Sequence, residues 1–238
     1  MDRKKERPLN QPECAIAVMA KQPEPGKVKT RLCPPLTPEQ AADLSEAFFL
    51  DTVSLISGIQ HTDVFVAYDP DTALDFFSRK TPPFVKFVTQ GQGDLGARLS
   101  GISHKVFAYG YKKLVILASD TPHLPGDIIR RAFARLDNTD VVLGPCDDGG
   151  YYLIGLRFPA PGLFEGIPWS TSRVLDLTIG RAHEAGMTCE LLPPCYDIDT
   201  GEDAKRLMKD LKVNAFGDSN ECLRTKKVLT DLTPILPG

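Results

Sequence analysis

The sequence predicts a three-layer α/β/α fold built on a mainly parallel sheet. Short β-rich runs alternate with helical stretches along most of the chain, the order that produces βαβ units. Several of those runs are continuous apolar strings, as strands covered by helices on both faces are. YYLIGL (151–156) follows the preceding run after only CDDGG, a link too short for a parallel crossover, so one antiparallel step is predicted.

In order, the predicted strands are CAIAVMA (14–20), DVFVAY (63–68), FVKFVT (84–89), KLVILAS (113–119), DVVLGP (140–145), YYLIGL (151–156) and MTCELL (187–192). The first helix opens on TPEQ. Thr37 is the N-cap, Pro38 the first helical residue and Gln40 the partner that completes a capping box. Its apolar positions Leu44, Phe48, Val53 and Ile56 recur at close to helical spacing. Further helices are predicted near 71–79, 96–109, 125–136, 171–185 and 201–213. Residues 1–13 read as a disordered segment, 14–214 as a single domain and 215–238, which lack a period, as a tail.

Net charge is −3 and the pI about 5.8, which excludes a global basic field for nucleic acid or anionic membrane. No run approaches the roughly 20 apolar residues of a membrane span. The six cysteines show no C-x-x-C spacing and read as reduced thiols, so the expected location is the cytoplasm.

Ligands of open α/β sheets bind beyond the C-terminal ends of the strands. Five polar or glycine-rich loops are predicted there: KQPEPGKVKTRL, QGQGDLGARL, SDTPHLP, CDDGGYY and YDIDTGED. In the first, Lys27, Lys29 and Arg31 alternate, so an extended segment would aim them to one side, as a phosphate site needs. Walker A spacing is absent. In the second, Gly91, Gly93 and Gly96 match G-x-G-x-x-G, and Asp94 and Arg98 stand ready for polar recognition. That makes an NAD-dependent oxidoreductase an alternative, although the fingerprint normally follows the first strand of the unit. Asp120 ends a strand, while Asp197 and Asp199 are two apart on another loop. One carboxylate from each loop is a usual way to hold Mg²⁺ or Mn²⁺. Asp147 and Asp148 either shape the turn before Gly149 and Gly150 or face an acceptor. Trp169 precedes Ser170, Thr171 and Ser172, which read as a helix start, so Trp169 plugs the core, or the hydroxyls bind an anion or sugar, or both. His61, His104 and His183 read as surface residues and His123 carries little functional weight.

MAKQPEPGKVKTRLCPPLTPEQAADL, QGQGDLGARL, ASDTPHLP, GPCDDGGYYLIGL and IPWSTS, collinear over roughly residues 14 to 210, resemble a bacterial family of glycosyltransferase-A-like proteins described as nucleotide-diphospho-sugar transferases, some linked to arsenosugar biosynthesis. More distantly the chain is similar to guanylyltransferases that activate phospholactate or phosphoenolpyruvate and those of molybdenum-cofactor assembly. The resemblance implies the nucleotide-diphospho-sugar transferase (glycosyltransferase-A) fold and a nucleotide or nucleotide-sugar donor with a small-molecule acceptor. It implies that Lys21, Lys29 and Arg31 meet the nucleotide phosphates, with Gly26, Gln90, Gly93, Asp94, Gly96, Arg98 and Ser119 as further nucleotide-side candidates. It makes Asp120 and Asp199 the metal acids. It sets Asp147, Asp148, Gly149, Gly150, Tyr151, Trp169, Ser170, Thr171 and Ser172 on the acceptor side. Asp148, on a neighbouring loop beside the Gly149-Gly150 pair, is the candidate general base, and Asp120 and Lys29 are the other catalytic candidates. The chain departs from the glycosyltransferase pattern at Asp120-Thr121-Pro122, where Asp-x-Asp is typical. Glycosyl transfer and nucleotidyl transfer to a phosphorylated small molecule, with release of pyrophosphate, therefore both stay open, and the family's description favours the sugar transferase.

Overall fold

The computed structural model describes residues 12–213, 215 and 222–236. Most of the predicted disordered segment and part of the predicted tail lie outside them. The strands are β1 (Cys14–Lys21), β2 (Thr62–Asp69), β3 (Lys86–Thr89), β4 (Lys113–Ala118), β5 (Val141–Pro145), β6 (Tyr151–Leu156) and β7 (Cys189–Leu191). They form one sheet in the order β3-β2-β1-β4-β6-β5-β7. The pairs β1 with β2, β1 with β4, β2 with β3 and β5 with β7 are parallel. β6 lies antiparallel between β4 and β5, as its short link predicts. Two reversals restore direction, so β1, β3, β4, β5 and β7 all end at one edge. The glycines of G-x-G-x-x-G follow β3, at the far side of the sheet. An inserted antiparallel strand also departs from the all-parallel order 3-2-1-4-5-6 of dinucleotide-binding folds.

The helices are α1 (Pro38–Ser57), α2 (Leu74–Lys80), α3 (Leu95–Phe107), α4 (Gly126–Arg135), α5 (Val174–Glu184), α6 (Gly201–Lys212) and α7 (Leu223–Asp231). The capping box at Thr37 and Gln40 forms as expected. Successive residues of β1 serve opposite layers. Ile16, Val18 and Ala20 pack with α1, α2 and α4, while Ala15 and Ala17 pack with α3 and α5. This two-sided burial is why the strands read as apolar runs.

A third cluster bears most on the site. Leu32 and Leu36 from the loop after β1, Leu44 and Phe48 of α1, Tyr196 and Ile198, Leu207 of α6 and Leu229 and Leu232 pack together at the C-terminal edge. Residues 223–231 are thus a helix docked on the domain, where the sequence suggested a tail. The helix is short, and its apolar residues are meaningful only against α1 and α6. Asp51, 4% exposed, accepts from the Thr225 amide at 2.7 Å and the Arg224 amide at 3.2 Å, so a buried side chain of α1 caps α7. Asp51→Ala should leave those amides unsatisfied and cost about 1–3 kcal/mol, read as a lower urea midpoint with the slope unchanged.

Among the described residues no helix is long and apolar enough to cross a membrane.

Candidate active site

The segment after β7 builds the centre of the site by strand alternation. Tyr196 and Ile198 face the third core cluster, so Asp197 and Asp199 turn away from it. The Ile198 amide donates to the Asp120 carbonyl at 3.0 Å and the Cys195 amide to the Pro145 carbonyl at 3.0 Å. These bonds tie the segment to the ends of β4 and β5. Oxygens of Asp120, Asp197 and Asp199 then lie within 4.8 Å of one another. The expected meeting of Asp120 with Asp199 is realised, with Asp197 as a third acid. The D-x-D spacing of 197 and 199 was its signal.

Lys29 reaches into this cluster. Its Nζ donates to Asp199 Oδ1 at 2.7 Å and to Asp120 Oδ2 at 3.0 Å, and its side chain is only 12% exposed. The backbone of Lys29 is left-handed at φ 46°, a conformation that costs a non-glycine residue about 1 kcal/mol or more and that the two ion pairs offset. Burial works against the ammonium, but Asp120 and Asp199 overcome it and hold its pKa above the ordinary lysine value. Burial likewise pushes Asp199 up, and Lys29 and Arg31 outweigh it, leaving that carboxyl below the usual range. Among the described residues Asp197 has no such cation. Burial, then the charges of Asp120, Asp199 and Asp148, raise it to about 6.

The donor set suits a hard divalent cation: three carboxylates converge, a positive charge already sits between two of them, and the third is short of one. The raised pKa of Asp197 has a stability consequence. The folded state holds this proton more tightly than the unfolded chain, so the contribution is present below the unfolded value near 4 and lost as pH rises through about 6. Asp197→Asn should therefore stabilise the metal-free protein above pH 6, by about 1 kcal/mol after discounting for solvent screening, and do little below pH 4. Urea unfolding in EDTA across that range would check it.

The rest of the cation loop differs from its expected form. Residues 22–32 are turns and a short 3-10 helix, bent by Pro23, Pro25 and Gly26, so alternation along an extended segment does not align the cations. Lys27 pairs with Glu24 at 2.7 Å. Lys21 Nζ donates to the Lys27 carbonyl at 2.9 Å. Arg31, 70% exposed, makes one bond to Asp199 Oδ2 at 3.2 Å, where a phosphate contact was expected. Lys21, Lys27 and Lys29 nonetheless line a cavity of about 440 Å³ with Met19, Val28, Ser45, Gln90, Leu95, Ser119, Asp120 and Asp199.

Most polar candidates after β3 are engaged in building that wall. Gln90 Nε2 donates to the Ala20 and Ala67 carbonyls at 3.2 and 2.8 Å. Its Oε1 accepts from Arg98, whose guanidinium also meets Asp69 at 3.4 Å and the Gly93 carbonyl at 3.2 Å. Asp94 caps α3 by accepting from the Ala97 amide at 2.9 Å. Gly96 is a packing residue. A Cβ there would stand 2.7 Å from the Phe164 carbonyl and 2.9 Å from the Trp169 ring.

A second cavity of about 210 Å³ adjoins the first across Leu95, Ala118, Asp120, Tyr151 and Tyr152. Cys146, Asp148, Gly150, Trp169, Ser170, Thr171, Val174 and Asp197 complete it. Asp148 is exposed and accepts from the Gly150 amide at 2.8 Å. Asp147 turns away to Arg206 at 2.8 Å. Gly149 sits at φ 86°, and a Cβ there would stand 2.2 Å from the Ser172 carbonyl, so the two loops touch through backbone. The WSTS hydroxyls do not open a helix: α5 starts at Val174, and Thr171 Oγ1 donates to the Pro168 carbonyl at 2.8 Å. Trp169 lies partly buried against the α3–α5 core, its ring 6.5 Å from that of Tyr151. His123 is fully buried behind Asp120, stacked 4.3 Å from Tyr196, with burial lowering its pKa to about 4.

The family described as "Uncharacterized protein conserved in bacteria (DUF2064)" matches residues 52–171. The chain belongs to this family. No curated protein matches it. Among solved structures, the chain is similar to a "putative nucleotide-diphospho-sugar transferase" of Desulfovibrio desulfuricans G20. The two share 33% identity over 95% of this chain and 97% of the other, with a TM-score of 0.87. A cytidylyltransferase of Leptospira borgpetersenii aligns over 95% of this chain and 97% of its own at 14% identity and TM-score 0.56. A CMP:2-keto-3-deoxy-manno-octonic acid synthetase complexed with CTP aligns over 85% and 99% at 12% identity and TM-score 0.53. The last two share the fold. The DUF2064 chain thus has the nucleotide-diphospho-sugar transferase fold, a mixed sheet flanked by helices.

Proposed function

We propose that this protein is a metal-dependent transferase that takes a nucleoside diphosphate sugar as donor and passes the sugar to a hydroxyl group of a small acceptor. One observation carries the reading: two cavities meet at Asp120, the larger rimmed by lysines and the smaller by acids and hydroxyls. Asp120, Asp197 and Asp199 would hold Mg²⁺ or Mn²⁺, which supplies charge neutralisation for the diphosphate. Lys29 exchanges its carboxylate partners for diphosphate oxygens, with Lys21 beside it, and Arg31 is free to swing from Asp199 to the same anion. Gln90 and Arg98 brace the donor wall, Asp94 starts α3, Ser119 borders the cavity, and Gly26 bends the loop that carries Lys27 and Lys29.

The acceptor oxygen bonds to the anomeric carbon, the bond from that carbon to the diphosphate breaks, and the nucleoside diphosphate leaves. Asp148 takes the acceptor proton. It is exposed beside the cavity and positioned by the Gly150 amide. The cationic wall stabilises the charge growing on the leaving group, where electrostatic catalysis acts.

Product chromatography tests the reaction. Incubated with Mg²⁺ or Mn²⁺ and UDP-glucose, GTP, CTP or NAD in turn, the protein should turn over a nucleotide sugar, releasing nucleoside diphosphate by slow hydrolysis when acceptor is absent. Pyrophosphate from GTP or CTP with a phosphorylated small molecule, and no nucleotide-sugar turnover, would replace this reading with nucleotidyl transfer.

A further inference from the structure

The smaller cavity restricts the acceptor by what does not line it. Among the described residues that line it, three, Asp120, Asp148 and Asp197, are acids, and none is Lys, Arg or His. Two neighbouring cations are committed elsewhere, and a third, Arg173, is exposed and is not one of the lining residues. Lys29 lies across Asp120 on the wall of the larger cavity. Arg206 holds Asp147 at 2.8 Å and stacks 3.6 Å over the Tyr196 ring. A phosphate or carboxylate brought into this space would lose its water and face like charge with no guanidinium or ammonium among the lining residues to satisfy it. A divalent cation on Asp120, Asp197 and Asp199 leaves Asp148 as the charge that an incoming molecule meets.

What does line the cavity suits a hydroxylated molecule. Carboxylate oxygens accept from hydroxyl groups, Ser170 and Thr171 can donate or accept, and Trp169 and Tyr151 offer ring surface for the apolar face of a sugar. The volume, about 210 Å³, falls below the ~300–1,000 Å³ of drug-sized sites, so the bound part of the acceptor is small.

We infer that the acceptor is an uncharged or cationic polyhydroxyl compound, such as a polyol, sugar or amino sugar, and not a phosphorylated or carboxylated one. This rests on the transferase reading and narrows it: the acceptor comes from a reaction that leaves a free hydroxyl without an anionic handle.

Saturation-transfer NMR on the full chain with Mg²⁺ tests the charge rule with matched probes: glucose against glucose 6-phosphate, glycerol against glycerol 3-phosphate, and glucosamine. The uncharged or amine member should bind at least ~10-fold more tightly in each comparison, a difference of about 1.4 kcal/mol. Ser170→Lys, at an exposed lining position, should close that gap. Equal or tighter binding of the phosphorylated members by the unaltered protein, or binding of no uncharged or amine probe, overturns the inference. Nucleotide and nucleotide-sugar binding is read separately by thermal shift. A protein that discriminates among the acceptor probes but takes no nucleotide refutes the transferase reading and leaves the acceptor rule intact.

Discussion

Lys29→Met should lower the melting temperature of the metal-free protein by about 5–10 °C, corresponding to roughly 2–3 kcal/mol for a chain of this size. The substitution keeps the volume of the stem and removes the charge that pairs with both Asp120 and Asp199, at 3.0 and 2.7 Å. Breaking a buried pair is costly because the partner charges stay behind, and here they stay beside Asp197 as well. The pH dependence follows from the two shifts. The raised Lys29 pKa keeps its contribution present until pH rises above the ordinary lysine value, and the lowered Asp199 pKa keeps it present until pH falls below the ordinary carboxylate range. The gap between variant and parent should therefore be steady from about pH 7 to 9, narrow as Asp197 takes up its proton near pH 6, and shrink further below about pH 4. Mn²⁺ should restore more stability to the variant than to the parent, because no ammonium has to leave first. Melting curves in EDTA and in MnCl₂ measure both effects. An unchanged curve in EDTA would show that the ion pairs contribute nothing.

Asp120→Asn should weaken metal-dependent nucleotide binding by at least ~100-fold, the upper end of what outer-shell partners of a metal cost when lost. Asp120 belongs both to the carboxylate cluster and to the wall between the two cavities. Its carbonyl, which the Ile198 amide needs, is untouched by the substitution, so the segment after β7 should keep its place. The measurement is the melting-temperature increment on adding UDP-glucose or GTP with Mn²⁺. At 100 times Kd a ligand adds about 2.7 kcal/mol, so the parent should show a large shift and the variant almost none. A parent-like shift in the variant would remove Asp120 from the metal site.

The elements legible in the sequence were those set by local periodicity. The strands lie within a few residues of their apolar runs, and the capping box at Thr37 and Gln40 and the antiparallel β6 were readable from a few neighbouring positions. The convergence of Asp120 with Asp199 was legible too, because both follow strand ends that a parallel sheet must bring to one edge. Helix α7 was not legible. Its apolar residues meet a face assembled from α1 and α6, and Asp51, far away in sequence, caps it.

Charge placement divides in the same way. Residue types and spacing determined that lysines, acids and glycines would gather beyond the strand ends, and that Asp197 and Asp199 would point alike. Only the tertiary structure decided their partners. It turned Lys29 inward through a left-handed backbone, set Arg31 on Asp199, spent Gln90 and Arg98 on holding the β3 loop, and sent Asp147 to Arg206 while Asp148 bordered a cavity. The physical reason is range. Helix and strand signals act between residues a few positions apart, whereas a charge takes its partner from whatever the folded chain brings within a few ångströms, as Lys29 and Asp199 do across 170 residues.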